Sequence, residues 1–247
     1  MNKSNLEDWA NWVGIPGVAL YVCSMLIYPW VEGQGSWAHV HEVWDKWQTF
    51  NAAALAFLAS LIALNLSRIK DEKQRERDFL ASKAFLPSAF SELSVYFKSS
   101  ASILAHIWES GVAGIVAPTP PSAYRDAFKD CIRHATPEGG EHLTAILVKL
   151  QIHEARLGDA ARSASAADKY ALISYLFALG ELKVLVDKQY EFARGEAPFD
   201  GIPASWDDFK NAYGILDLHL EDYEVDEKWT LKAVTQRALE RRDKQDQ

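Results

Sequence analysis

Two imidazoles and two carboxylates fall within one short stretch of this sequence, AHVHEVWD: His39, His41, Glu42 and Asp45. Those side-chain types suit a divalent transition metal. Spacing inside a single connecting segment fixes no coordination geometry, however. The competing reading, histidines facing water or lipid headgroups, therefore takes precedence, and no metal or other cofactor is expected.

The remaining motifs are weaker. None of the seven histidines has Glu three residues before it, the pair that di-iron bundles need. His41-Glu42 and His153-Glu154 lack the second His of a zinc HExxH helix. Asp222, Glu224 and Asp226 match the start of a calcium loop, but Glu227 stands where that loop needs Gly, and no Glu follows at its twelfth position, so the acidic stretch from Asp217 to Glu227 reads as a solvated helix junction. There is no GxxxxGK[ST] and no GxSxG. GQGSWA, from Gly33 to Ala38, has dinucleotide-like spacing without a strand before it. Cys131 lies near Arg133 and His134, which could activate a thiol, though a buried structural thiol is the commoner state of a free cysteine. No Arg is followed four to six residues later by His, as in helical RNases of the HEPN type. Residues 79–247 carry 25 Asp and Glu against 19 Lys and Arg, which speaks against a nucleic-acid surface. No catalytic residue is assigned.

The elements around these residues are more informative. From Trp9 to Val31 the chain has no charge, and Trp47 to Ser67 is a second uncharged stretch. A helix needs about 20 apolar residues to cross a bilayer, so each is long enough. A signal peptide would be shorter and led by basic residues; a buried soluble helix is the alternative for the Ala-rich second stretch. Six of the nine tryptophans sit near the ends of the two stretches: Trp9, Trp12, Trp30, Trp37, Trp44 and Trp47. Indole rings favour the headgroup level, so these six are expected at the membrane interface. Cys23 falls inside the first stretch and Cys131 far beyond it, so no disulfide is expected.

Arg68, Lys70, Lys73, Arg75 and Arg77 follow the second stretch, against Lys46 alone between the two. The positive-inside rule then puts both termini in the cytoplasm. Arg68, Lys70 and Lys73 are the residues that would touch headgroups, although Asp71, Glu72 and Glu76 dilute the patch. Within the second stretch, Ala52, Ala56 and Ser60 form a row of small residues that permits close helix packing.

Beyond the membrane the apolar period is helical: Phe90, Leu93, Phe97, Leu104 and Trp108; Leu143, Ile146, Leu150 and Leu157; Leu172, Leu176, Leu179 and Val186; Phe209, Tyr213 and Leu216. GVAGIVAP, from Gly111 to Pro118, reads as a connection, as do APTPPS, TPEGG and EAPFDGIPAS. Ser205 is expected to cap the helix after it. The expected fold is all-α: a two-helix transmembrane hairpin over 1–67 with spans at about 10–31 and 47–67, a charged connecting helix over 68–86, and a cytoplasmic helical bundle over 87–247.

One segment resembles a known group. Lys46, Trp47, Gln48 and Thr49 open the Ala/Leu-rich stretch, a charged helix follows, and then come Leu86 and Pro87 with Ser91, Glu92 and Leu93. This pattern, over residues 43–96, is similar to bacterial, largely proteobacterial, small two-span inner-membrane proteins. The resemblance implies a bacterial inner-membrane location and brings no activity with it. The expected function is that of a membrane-anchored, non-enzymatic scaffold, interaction or regulatory protein, in one version an effector of a stress or defence system. Its partners would be the bilayer, another protein and a second copy of itself. The alternatives are an oligomeric pore and a membrane-bound enzyme with a site of unfamiliar type.

Overall fold

The computed structural model describes residues 15–112, 114–162, 168–199 and 201–245. Helix accounts for 78% of the chain and strand for 2%, far from the mixed content of an average domain, so the fold is all-α. The chain divides into two compact units, Met1–Glu72 and Lys73–Gln247.

In the first unit, α1 (Ile15–Val22) runs through a π-helical turn (Cys23–Ile27) into α2 (Tyr28–Glu32). A π turn widens the helix and disturbs its carbonyl ladder; here the indole N–H of Trp44 donates to the Met25 carbonyl at 2.9 Å. Gln34 and Gly35 turn the chain in the left-handed region, at φ 53° and 83°. The stretch expected as a polar loop is then largely helical, as α3 (Trp37–Lys46). Its period explains this: Val40, buried, and Trp44 lie four residues apart on the face turned to the π turn.

Helix α4 (Gln48–Lys83) has 36 residues and is about 54 Å long. Its uncharged part is the one window among the described residues that is long and apolar enough, within a helix, to cross a membrane. The other uncharged stretch does not meet that test: its described part is a short apolar helix, Ala19–Glu32, and its start lies outside the described residues. The charged residues after Ser67 continue α4 without a break.

In the second unit, the end of α4 meets α5 (Leu86–Ser110), whose Pro87 occupies the first turn, where a missing N–H costs nothing. Then come α6 (Ala123–His134), α7 (Pro137–Arg162), α8 (Lys169–Asp187), the single turn α9 (Tyr190–Arg194), α10 (Trp206–Ile215), strands β1 (Glu224–Asp226) and β2 (Trp229–Thr230), and α11 (Leu231–Gln245). Helix α5 packs on α6, α7 and α8, and α6 and α8 each pack on α7, making a four-helix arrangement. Helix α8 also packs on α10 and α11 and is the central element, which is why it buries residues on every side.

Two local readings change. TPEGG is not a loop: Pro137 opens α7 and its glycines lie in the first turn, where Pro is favoured. The acidic stretch after Asp217 is not a helix junction but a short hairpin, with Glu224 opposite Thr230 and Asp226 opposite Trp229. The Asp226 carboxylate makes its turn, accepting from the Lys228 and Trp229 N–H groups at 2.8 and 2.9 Å. Ser205 caps α10 as expected, in a capping box with Asp208.

Candidate functional site

Three places could carry function: the apolar surface of the first unit, the polar groups buried in the second, and the hollows between the second unit's helices.

The apolar surface is extensive. Along α4, Leu55, Phe57, Ile62, Leu64 and Leu66 are exposed, Phe57 by 63%. Leu55, Ile62 and Leu66 lie on one face and Phe57 and Leu64 on the opposite one, so apolar side chains are exposed around the helix, and none of its apolar window is buried. Trp47 sits at the start of this helix with its ring edge-on to Phe50, centroids 5.9 Å apart. Trp30 and Trp37 meet across the Gly33–Gly35 turn at 4.5 Å, and Trp44 folds back onto Met25. Trp9 and Trp12 lie outside the described residues. Arg68, Lys70 and Lys73 are exposed, and none of them is ion-paired with a described residue.

The row Ala52, Ala56 and Ser60 is exposed, with the Ser60 hydroxyl donating to the Ala56 carbonyl at 2.8 Å. Beside it, buried Asn51 accepts from the Tyr21 hydroxyl at 3.0 Å and leaves its own amide N–H groups unpartnered.

The metal candidates do not assemble. His39 faces Glu32 at 3.7 Å and Glu42 faces Lys46 at 4.0 Å, while His41 and Asp45 are exposed on α3. Among the described residues no three His, Cys, Asp or Glu side chains come together as a metal set. The physical reason is competing partners: His39 turns to Glu32 and Glu42 to Lys46, which leaves His41 and Asp45, one turn apart, as two ligand types at most. Cys131 is buried, and burial with the Asp130 charge beside it pushes its thiol up to about 12. Neither Arg133 nor His134 is among the groups that shift it; the one opposing charge is Lys83. Helix serines are also committed: Ser91, Ser99, Ser100 and Ser174 each donate to the carbonyl one turn back.

The buried polar groups were not evident from motifs. His153 is 3% exposed between the ring edges of Tyr96 and Phe97, with Nε2 unpartnered. Burial, then the Arg156 charge, lowers its pKa to about 4. Lys183 is buried on α8 and bonded to Asp187 one turn on; burial holds the Asp187 carboxyl above its usual range, outweighing the hydrogen bond and charge of Lys183. Tyr124 donates to Glu154, which also takes Arg125 at 2.9 Å. The signal for two of these was present. The stripe Leu143, Ile146, Leu150, Leu157 skips one step, and His153 fills it; the stripe Leu176, Leu179, Val186 skips a step that Lys183 fills.

A cavity of about 290 Å³ opens between α8, α10 and α11, with Phe177, Leu185 and Phe209 beside His142, Lys188 and Gln189. Its polar groups engage one another: Gln189 lies 3.5 Å from His142, and Lys188 lies 3.6 Å from Asp208.

Comparison with protein families, with curated proteins and with solved structures finds no match for the chain.

Proposed function

We propose that this is a membrane-anchored protein that works through protein contacts, its helical second unit held at the bacterial inner membrane. The observation that carries the reading is the uncharged half of α4, none of whose apolar window is buried by the rest of the chain. Lipid is the solvent that makes such a surface stable. Trp47 at one end and Arg68, Lys70 and Lys73 at the other have the residue types of the two interfaces. The likeness of residues 43–96 to small two-span proteins points the same way.

The finer form of the proposal is a two-helix hairpin. Tyr21 of the first stretch reaches the first turn of α4, at Asn51 and Phe50, and Leu20, Ile27, Tyr28 and Val31 are exposed as lipid-facing residues are. The five basic residues after Ser67 support a topology with both termini in the cytoplasm. In the second unit Cys131 is buried and the helix serines named above are bonded within their own helices, which favours a binding role over catalysis.

Alkaline carbonate extraction and paired reporter fusions test the proposal. The chain should stay with the membrane pellet, a fusion at Gly35 should report the periplasm, and a fusion at the C-terminus the cytoplasm. Release into the supernatant would refute the anchor; a cytoplasmic signal at Gly35 with a cytoplasmic C-terminus would reduce the hairpin to a surface-bound helix.

A further inference from the structure

The end of α4, the start of α5 and the length of α6 enclose an open groove of about 440 Å³ in the second unit. Its floor is short: Ala81, Ala89, Ala123 and Ala127 contribute single methyl groups from three helices, and Phe85 stands over it, 66% exposed. Its charged lining is Glu92, Asp126 and Asp130, with no Lys or Arg. Elsewhere on this unit some carboxylates find partners, as Glu154 has Arg125, Glu181 has Lys149, Asp187 has Lys183 and Asp217 has Lys98, and others such as Glu138 and Glu141 stand singly on the surface. The three at the groove are exposed and have no ion pair or hydrogen bond with a described residue.

We propose that this groove is a docking site for a basic amphipathic helix of a partner protein. The charge on the rim calls for Lys or Arg, and the apolar floor with Phe85 calls for an apolar stripe; one helix face supplies both. The alanines decide for a helix, because side chains this short let a further helix approach to the usual interaxial distance of about 8–10 Å. Anionic lipid is the wrong occupant, since its headgroups would meet three carboxylates. The inference rests on the reading that the second unit works through protein contacts and names the kind of contact.

The test is a titration of the full chain in zwitterionic nanodiscs with a synthetic helical peptide bearing a leucine stripe flanked by lysines, with empty nanodiscs as the blank. Binding above the blank is expected, weakening with salt. It should fall about tenfold in the triple variant Glu92→Gln, Asp126→Asn, Asp130→Asn, and similarly in Ser88→Trp, which fills the groove from an exposed position. Circular dichroism on each variant confirms that the helices remain. Equal affinity in all three proteins, or equal binding of a glutamate peptide or of a lysine peptide without leucines, overturns the proposal. Capture of phosphatidylglycerol vesicles that is lost in the same variants would give the groove to lipid and overturn it as well. Carbonate extraction of the same preparation separates the two ideas: a chain that is anchored but does not bind the peptide fails here and leaves the anchor standing.

Discussion

His153 shows how a polar residue can be spent on packing. It fills the one gap in the apolar stripe of α7 and is held between two aromatic edges. Its folded pKa, about 4, lies below the ordinary 6.5, so the unfolded chain binds the proton more readily. The stability it contributes is complete above about pH 6.5 and is lost as the pH falls toward the folded value, a swing of about 3 kcal/mol. His153→Phe, which leaves no ring nitrogen to protonate, should flatten that window while changing neutral-pH stability by less than about 1.5 kcal/mol; urea midpoints at neutral pH and at about pH 5 measure both. A slope that survives the substitution would assign it to the carboxylates. Lys183 and Asp187 behave differently because they form a pair. Lys183→Met strands a carboxylate and should cost about 3 kcal/mol, whereas Lys183→Met with Asp187→Leu should return close to wild type. If the double variant is as unstable as the single one, the pair holds the fold by more than mutual neutralisation.

At the scale of elements, α8 carries the second unit, and Gly180 sets how close α10 can come. A Cβ there would lie 2.4 Å from Cε1 of Tyr213, a buried ring whose hydroxyl is bonded to Thr235 at 2.8 Å. Alanine normally gains about 1 kcal/mol over glycine inside a helix. Overpacking against a ring with no free space costs about 1–3 kcal/mol, and displacing the Thr235 bond adds about 1 kcal/mol, so the clash wins. Gly180→Ala should destabilise the unit by about 2 kcal/mol, read as a lower denaturation midpoint; a stabilised variant would mean that α10 can shift. Much of this architecture was legible in the sequence. Stripes at 3.6-residue spacing mark α5, α7 and α8, and Ser205 with Asp208 marks the start of α10. The hairpin was hidden because three- and two-residue strands are too short to show alternation, and it is held by non-local contacts, Trp108 to the Asp222 carbonyl and Tyr170 to Asp226. The groove was hidden too: Ala81, Ala89, Ala123 and Ala127 come together only through packing, and alanine in a helix announces nothing but helix.

At the scale of the whole molecule, the two units differ in how much apolar surface they leave exposed. The core of the second is built within Lys73–Gln247, from Leu86 to Leu231, and its partly buried neighbours include Phe79 at the end of α4. Lys83 adds its ammonium over the Phe192 ring at 4.0 Å. A chain of this size buries enough apolar surface to fold alone. Among its described residues the first unit has no comparable core: the apolar residues of α4 named above are exposed, and so is the row Ala52, Ala56 and Ser60. In lipid such a row is covered by another helix, through packing and not through exclusion of water. The fragment 73–247 should therefore be soluble, strongly helical by circular dichroism and monomeric in sedimentation, with one cooperative unfolding transition. The full chain in mild detergent should sediment as an oligomer, and Ala56→Leu with Ser60→Leu should return it toward the monomer without impairing insertion, because leucine inserts at least as readily as the residues it replaces. A fragment that aggregates or lacks cooperative unfolding would show that the bundle needs its anchor. An oligomer indifferent to the leucines would move self-association from the α4 row to another surface.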